Sequence, residues 1–312
     1  LKNELTAVGW SDTTVPVDVT INIPAGVYVV SNNVTTPAID AGDVFPAASL
    51  LTLVNNGNVF GKGGKGGRGG VVYPTVPAEN GEDGGPAIKL ALRTKINNKG
   101  VIAGGGGGGG GSSSVMSKVL LSQSGDSGQS DASASSSKAV SGGGGAPFGS
   151  HGEVTRPELG AWGDWGVAPF DTTPGFIYQR EEPSVLSTSA GLLTVGSGGI
   201  VSQYGGRHSS TSGAGGGVGQ AGHAGHNPGH LISSAVPFNL FLSAGQGGKA
   251  GFAIIGASNV EWISFGTVKG NLKGLASSIY RNTSNYNILA YLSPTTYSVS
   301  EVIKGLQATT RQ

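Results

Sequence analysis

The chain has no cysteine among its 312 residues. A disulfide framework and a thiolate metal site are therefore excluded, and resistance to unfolding must come from packing and hydrogen bonds alone. Charged residues make up only 12% of the sequence, where an ordinary soluble domain carries about 25%. Net charge is +1, so no global field steers the protein toward nucleic acid or an anionic lipid surface. No run of about 18 apolar residues is present, which argues against membrane insertion. The N-terminal LKNELTAVGW does not read as a signal peptide.

Glycine dominates what is there, with 58 residues against an ordinary share of about 7%. The first stretch is nevertheless conventional. Residues 1–10 place Leu1, Leu5 and Val8 near one helical face. VDVTINI (17–23) alternates with the strand period, GVYVV (26–30) follows a Pro-Ala-Gly turn, and SLLTLV (49–54) reads as a third strand. The expected organisation is a small β unit over residues 1–55, a glycine-rich domain over 56–270 and a C-terminal extension over 271–312, a candidate for assembly.

The spacing of the glycines carries the fold argument. In GKGGKGGRGG, Gly holds 61, 64, 67 and 70, and again 63, 66 and 69. In GAGGGVGQAGHAGH it holds 213, 216, 219, 222 and 225. GAWGDWG (160–166) and GQGGKAG (245–251) repeat the period, and residues 104–111 are all glycine. A period of three is neither that of an α-helix nor that of a strand. It belongs to the extended polyproline II helix, whose backbone makes no internal hydrogen bonds. Buried N–H and C=O groups of such a segment need partners from elsewhere. An edge without side chains lets a second backbone approach and supply them, as Gly does at the collagen axis. The fold class expected is mostly irregular and β: the N-terminal β unit, a laterally hydrogen-bonded polyglycine II bundle, and the C-terminal extension. Gly219 is then an interior position and Gln220 an exposed one. The competing reading is a flexible low-complexity linker.

An internal repeat favours the stacked alternative. LVNNGNVFG (53–61) and INNKGVIAG (96–104) align at an offset of 43, matching Asn55 with Asn98, Gly57 with Gly100, Val59 with Ile102 and Gly61 with Gly104. A third and weaker copy, IIGASNV (254–260), lacks the turn glycine.

LTLVNNGNVFGKGGKGGRGG, GGPAIKL, TKINNKGVIAGGGGGGGG and GQGGKAGFAIIGASNVEWISFGTVKG resemble the glycine-rich receptor-binding domain of tailed phages. That domain ends lambda-type host-specificity and central tail-fibre proteins, and a similar glycine architecture occurs in the distal adhesins of T-even-like phages. The resemblance covers residues 1–270, including the opening LTAVGWSDTTVPVDVTINIPAGVYV. It implies a sandwich of polyglycine II helices whose variable loops, at one end, touch a bacterial outer-membrane protein or surface glycan. It further implies a place at the virion tail tip, contacts with other phage tail proteins, and a homotrimer as one admissible assembly. Release by lysis would bring such a protein outside the cell without a signal peptide. Two departures stand out: residues 112–141 are Ser-rich, and residues 271–312 run past the resembling region.

Enzymatic motifs are wanting. GKGGKG (61–66) satisfies GxGxxG, yet no helix can start in so glycine-rich a segment, and a dinucleotide fold requires one. GNVFGK (57–62) misses the phosphate-loop spacing and lacks the following Ser or Thr. There is no GxSxG or HExxH, and the carboxylates of GEDGG (81–85) and Glu181-Glu182 form no recognisable glycosidase pair. A single RGG at 68–70 is not the basic, aromatic-interleaved cluster of an RNA-binding segment. No catalytic residue, metal, cofactor or nucleic-acid partner is expected.

Candidates for binding are more numerous. Lys62, Lys65 and Arg68 would line a straight edge with charges about 9 Å apart, either a solvated face or a stripe that meets lipopolysaccharide phosphates. His223, His226 and His230 have helical metal-ligand spacing, but a three-residue period places the first two about 9 Å apart. A shared zinc ion with bonds of about 2.0–2.1 Å would need a bent backbone; an exposed or packed edge and a receptor contact are the other readings. Residues 154–183 gather Trp162, Trp165, Phe170, Phe176 and Tyr178, with Arg156 and Arg180. Trp, Tyr and Arg anchor binding hot spots, although the same side chains could roof a bundle with little apolar core. The receptor-binding candidates are Tyr73, Trp162, Trp165, Phe170, Phe176, Tyr178, Arg180, His223 and His226, with His151, Tyr204 and Phe238 as lesser ones. Two rivals stand beside a receptor-binding role. A non-viral ice-binding or matrix-forming glycine-helix protein would show a flat, regular Thr/Ala-like face. A surface-polysaccharide depolymerase would pair acidic residues in a groove.

Overall fold

A computed structural model of the chain describes residues 1–7, 9–10, 14–42, 45–70, 76–113, 115–120, 132–137, 139–153, 177–181, 186–202, 209–226, 239–241, 243–274 and 297–298. Among them, helix is confined to α1 (Lys2–Ala7) and a 3-10 turn at Ala257–Asn259. The rest is strand or extended backbone, so the β-rich and irregular class expected from composition holds.

Four coils of three strands make a parallel solenoid. The first coil is β1 (Asp18–Ile23), β2 (Tyr28–Val30) and β3 (Ile39–Ala41), and the second is β4 (Leu50–Asn55), β5 (Asn58–Phe60) and β6 (Ile88–Leu90). The third is β7 (Arg93–Asn98), β8 (Val101–Ala103) and β15 (Phe252–Ile255), with β9 (Val115–Leu120), β10 (Ala132–Ser137), β11 (Ile177–Glu181), β12 (Ile200–Ser202), β13 (Ser209–Thr211) and β14 (Asn239–Phe241) in the segment between its last two strands. The fourth is β16 (Val260–Ser264), β17 (Thr267–Lys269) and β18 (Asn271–Lys273). Corresponding strands pair in parallel, giving the sheet orders β1-β4-β7-β16, β2-β5-β8-β17 and β3-β6-β15-β18. A short β19 (Tyr297–Ser298) adds to β18 in the antiparallel sense. The strands of residues 1–55 are therefore built into sheets that also take strands from 88–103 and 252–273, and they form no separate sheet of their own.

The repeat at offset 43 is the register of this stack. Asn55 lies opposite Asn98, and Val59 opposite Ile102. The third copy is not 254–260: Ile254 belongs to the third sheet, and the stacked strands are β16 and β17, which turn at Gly266 with φ 55°. Alternation points Leu51, Leu53 and Asn55 of β4, and Thr94, Ile96 and Asn98 of β7, into the core. Ile88, Ile102, Ile254 and Leu272 join them, each contributing about 1.5–3 kcal/mol by full burial. The buried Asn pair is satisfied. Asn55 Nδ2 donates to Asn98 Oδ1 at 2.7 Å, and Asn98 Nδ2 donates to the Phe265 carbonyl at 2.7 Å.

Glycine-rich chain leaves the solenoid at one corner, between the second and third strands of a coil. The insertions are 61–87 in the second coil and 104–251 in the third, against the single residue Gly270 in the fourth. Segment 104–112 is surrounded by six others. Its N–H groups at 105, 108 and 111 donate to the carbonyls of Gly85, Glu82 and Glu79, those at 106, 109 and 112 to Ala146, Gly143 and Val140, and those at 107 and 110 to Gln220 and His223. Its carbonyls accept from 245–251, 61–70 and 213–216 with the same three-residue period. Residues 140–146 are a second hub, bonded to 61–70, 104–112, 149–152, 187–191, 194–199 and 213–217. The pairings set the segments in three rows: 79–85, 61–70 and 149–152; then 245–251, 104–112, 140–146 and 187–191; then 220–226, 213–217 and 194–199.

The glycine spacing follows from the neighbours. A Cβ at any position of 104–111 would come closer than 3.0 Å to a neighbouring backbone, so the enclosed hub is all glycine. Segment 61–70 has neighbours on two of its three edges, and only the third carries side chains, those of Lys62, Lys65 and Arg68. One expectation needs correction. Residues 213–226 do not form one straight segment, because the chain reverses at Val218 and Gly219, with Gln220 N donating to Gly217 O and His223 N to Ala214 O, each at 2.9 Å. Gly219 has φ 71°, and a Cβ there would press on the backbone of Lys269 and Gly270. It is a turn glycine rather than an interior one.

Candidate functional site

Direction along each segment sorts the connections into two ends. Residues 61, 85, 104 and 251 adjoin the solenoid strands. Following the pairings outward, the far ends fall at 70, 79, 112, 140, 152, 187, 199, 212, 226 and 245. At the near end the reversals are tight, at 147–148, 192–193 and 218–219. The five long connections between glycine-rich segments, 71–78, 113–139, 153–186, 200–211 and 227–244, each leave from and return to the far end.

The far-end connections join one another. β9 (Val115–Leu120) and β10 (Ala132–Ser137) come from one, β11 (Ile177–Glu181) from a second and β14 (Asn239–Phe241) from a third. They pair as one sheet in the order β11-β10-β9-β14. β12 (Ile200–Ser202) and β13 (Ser209–Thr211) make a separate antiparallel pair. Tyr178 and Arg180 both lie on β11, in register with Ala134 and Ser136 of β10. Tyr73, Trp162, Trp165, Phe170 and Phe176 lie outside the described residues, as do Arg156, Tyr204, His230 and Phe238.

Serine marks the take-off points, a signal the glycine period hides. Ser112, Ser141, Ser187 and Ser212 are buried at the far ends of their segments. Ser112 Oγ accepts from Val140 N at 2.9 Å, Ser212 Oγ accepts from Gly199 N at 2.7 Å, and the Ser141 and Ser187 hydroxyls lie 2.6 Å apart. The Ser112 and Ser212 hydroxyls occupy backbone amides at the segment ends, and those of Ser141 and Ser187 satisfy each other.

Two of the three residues on the basic edge are matched by acids. Arg68 pairs with Glu79 and Lys65 with Glu153, each at 2.8 Å, and Lys62 Nζ stands 5.4 Å from the Phe148 ring centroid. Partial burial lowers the Lys62 pKa, and the hydrogen bond and charge of Lys65 lower that of Glu153. The geometry is that of a solvated, charge-compensated face. His223 and His226 are exposed on 220–226, where their backbones serve the fold: His223 O accepts from Gly110 N, and His226 N donates to Thr211 O. His151 is also exposed, its Nδ1 2.6 Å from Gly152 O.

A stack of hydrogen-bonded backbone whose long bundle connections gather at one end is the architecture of a protein that displays loops for binding. The family model of the phage tail fibre adhesin Gp38 matches residues 1–273. The chain belongs to that family: it is a receptor-binding protein of a phage tail, and its place is the virion tail. It is also similar to the gp37-gp38 adhesin tip complex of the bacteriophage S16 long tail fiber, at 27% identity over 81% of this chain and 70% of that chain, with a TM-score of 0.41. No curated protein matches the sequence.

Proposed function

We propose that the glycine-rich rows are a polyglycine II bundle, and that it holds the far-end loops rigidly against a bacterial surface receptor, either an outer-membrane protein or a surface glycan. The observation that carries this is the return of the five long connections between glycine-rich segments to one end. The three-residue alternation of hydrogen-bond partners along 104–112 supports the helix type, as does the absence of any glycine of 104–111 from the left-handed region. Loops on a rigid core carry recognition in many folds. Ordering them in advance spares binding the entropy of fixing them, about 0.5–1.5 kcal/mol for each mobile side chain.

The anchors are drawn from Tyr73, Trp162, Trp165, Phe170, Phe176, Tyr178 and Arg180, with His223 and His226 as peripheral contacts. Binding without catalysis is favoured by the carboxylates of the rim. Glu79 and Glu153 are paired with Arg68 and Lys65, and Glu82 accepts from the Lys65 amide at 2.9 Å. A free far end requires that other tail proteins hold the solenoid end. The test is alanine at Trp165 and at Tyr178, with attachment to host cells and melting measured on the same preparations. Attachment should be lost while melting is unchanged; lost stability with normal attachment by the folded fraction would assign these residues to the roof of the bundle.

A further inference from the structure

A lattice of this kind has an edge problem. Each segment of the rows rotates its N–H groups through three directions, so a segment on the perimeter aims one or two in three toward sites that no neighbouring backbone fills; on 245–251 only the amides of 245, 248 and 251 donate to backbone. A row of such donors is the counterpart of an open sheet edge, which templates pairing with another chain. The side chains at these vacant sites are not arbitrary. Asn80 Oδ1 accepts from Gln246 N at 2.8 Å, and Asp83 Oδ1 accepts from Lys249 N at 2.7 Å. The two acceptors are three apart on 79–85, and the two donors are three apart on 245–251. The spacing is that of the lattice itself, and the oxygens stand where the carbonyls of one more segment would stand. The pattern recurs elsewhere on the perimeter: Glu82 Oε2 accepts from Lys65 N at 2.9 Å, and Thr188 Oγ1 accepts from Ser197 N at 2.9 Å.

We infer that Asn80 and Asp83 close this edge against a second copy of the chain. The inference rests on the lateral bundle proposed above. The row of outward amides on this rim is a latent self-association surface, and the partner it fits is another glycine-rich segment of identical period. Side-chain oxygens occupy the donors that such a segment would need, and Asp83 adds a negative charge that an incoming carbonyl row would meet. Salt bridges on the same rim do not have this role, because Lys65 and Glu153 pair side chain to side chain.

The test compares the parent with Asn80→Ala/Asp83→Ala, with Asn80→Asp/Asp83→Asn, and with Glu153→Ala, by sedimentation velocity over a wide concentration range. The alanine pair should self-associate with rising concentration. The isosteric pair keeps both acceptors and should sediment as the parent does, and so should Glu153→Ala, which shifts net charge without freeing an amide. A folded alanine pair that sediments like the parent at every concentration overturns the inference, and association of Glu153→Ala would assign the effect to charge instead. Asp83→Ala alone decides the matter in the same way if the pair fails to fold. Amide exchange on the parent supplies an independent arm. Gln246 and Lys249 should exchange slowly, and loss of the caps should speed them by roughly tenfold or more. Fast exchange at both in the parent also overturns the inference. Slow exchange across 104–111 reports separately on the bundle, so failure of the caps and failure of the lattice are distinguishable.

Discussion

Gly109→Ala should be among the most damaging single-methyl additions to this chain. Gly109 N donates to Gly143 O at 2.9 Å, and its carbonyl accepts from Gly67 N at 2.8 Å. A Cβ would drive into the Gly213 carbonyl, with Ala214 O behind it. Three neighbouring backbones therefore meet at this residue, and all three are fixed by further bonds, so none can yield alone. Overpacking of this kind costs about 1–3 kcal/mol. Pushing 213–217 away breaks the Gly213 N to Gly110 O bond of 2.8 Å, and each buried group left unpaired adds about 1–3 kcal/mol. With both groups of that bond stranded the sum is roughly 3–9 kcal/mol, with each kcal/mol worth about 2–4 °C in a large domain. Differential scanning calorimetry should show a melting temperature lower by roughly 6 °C or more. The control is Gln220→Ala on the exposed return arm, which should stay within about 0.5 kcal/mol of the parent. Equal melting of the two variants would refute the packed lattice.

Asn98→Leu keeps the branched shape of the solenoid corner but leaves the Asn55 amide with the Val101 carbonyl alone and strands the Phe265 carbonyl, and should lower stability by about 1–3 kcal/mol for the stranded group, read from denaturant unfolding. Arg68→Ala, which removes a partly exposed pair with Glu79, should cost less than about 1 kcal/mol and leave host attachment unchanged in an adsorption assay. The Glu153 carboxyl, lowered by Lys65, should titrate below the ordinary carboxylate range by NMR and return to it in Lys65→Met. A depressed carboxylate adds stability only above its unfolded pKa and loses it as pH falls through the folded value. The group is exposed, so melting should hardly respond over that acid window.

The solenoid was legible in the sequence wherever a local pattern matched a tertiary one. Strand alternation located β1, β2 and β4, and the offset between Asn55 and Asn98 is the register of β4 against β7. β3 was not legible, because Ile-Asp-Ala is too short to show a period. The fourth coil was misplaced because its turn uses Gly266 without the Asn-Gly signal and its strand carries an irregularity between Trp262 and Ser264. The glycine period identified the segments that pack but not their reversal. Glycine continues at every third place straight through the turn at Gly219, since both arms obey one spacing rule and only φ distinguishes the corner. The side chains capping the rim were invisible for another reason. Asn80 and Asp83 acquire their role from 245–251, more than 160 positions away, and no local pattern encodes that. Gathering of the far-end connections is likewise a property of the path through the rows, not of any one segment.

The central claim is that host recognition travels with the far-end loops and not with the scaffold. Exchanging residues 113–139, 153–186 and 227–244 together for the corresponding loops of a Gp38-family adhesin from a phage with another host tests it directly. Adsorption to the two hosts is the measurement, with calorimetry to confirm that the scaffold still melts as one unit. The expected result is that attachment switches to the loop donor's host. Retention of the original host by a chimera that folds normally would contradict the account.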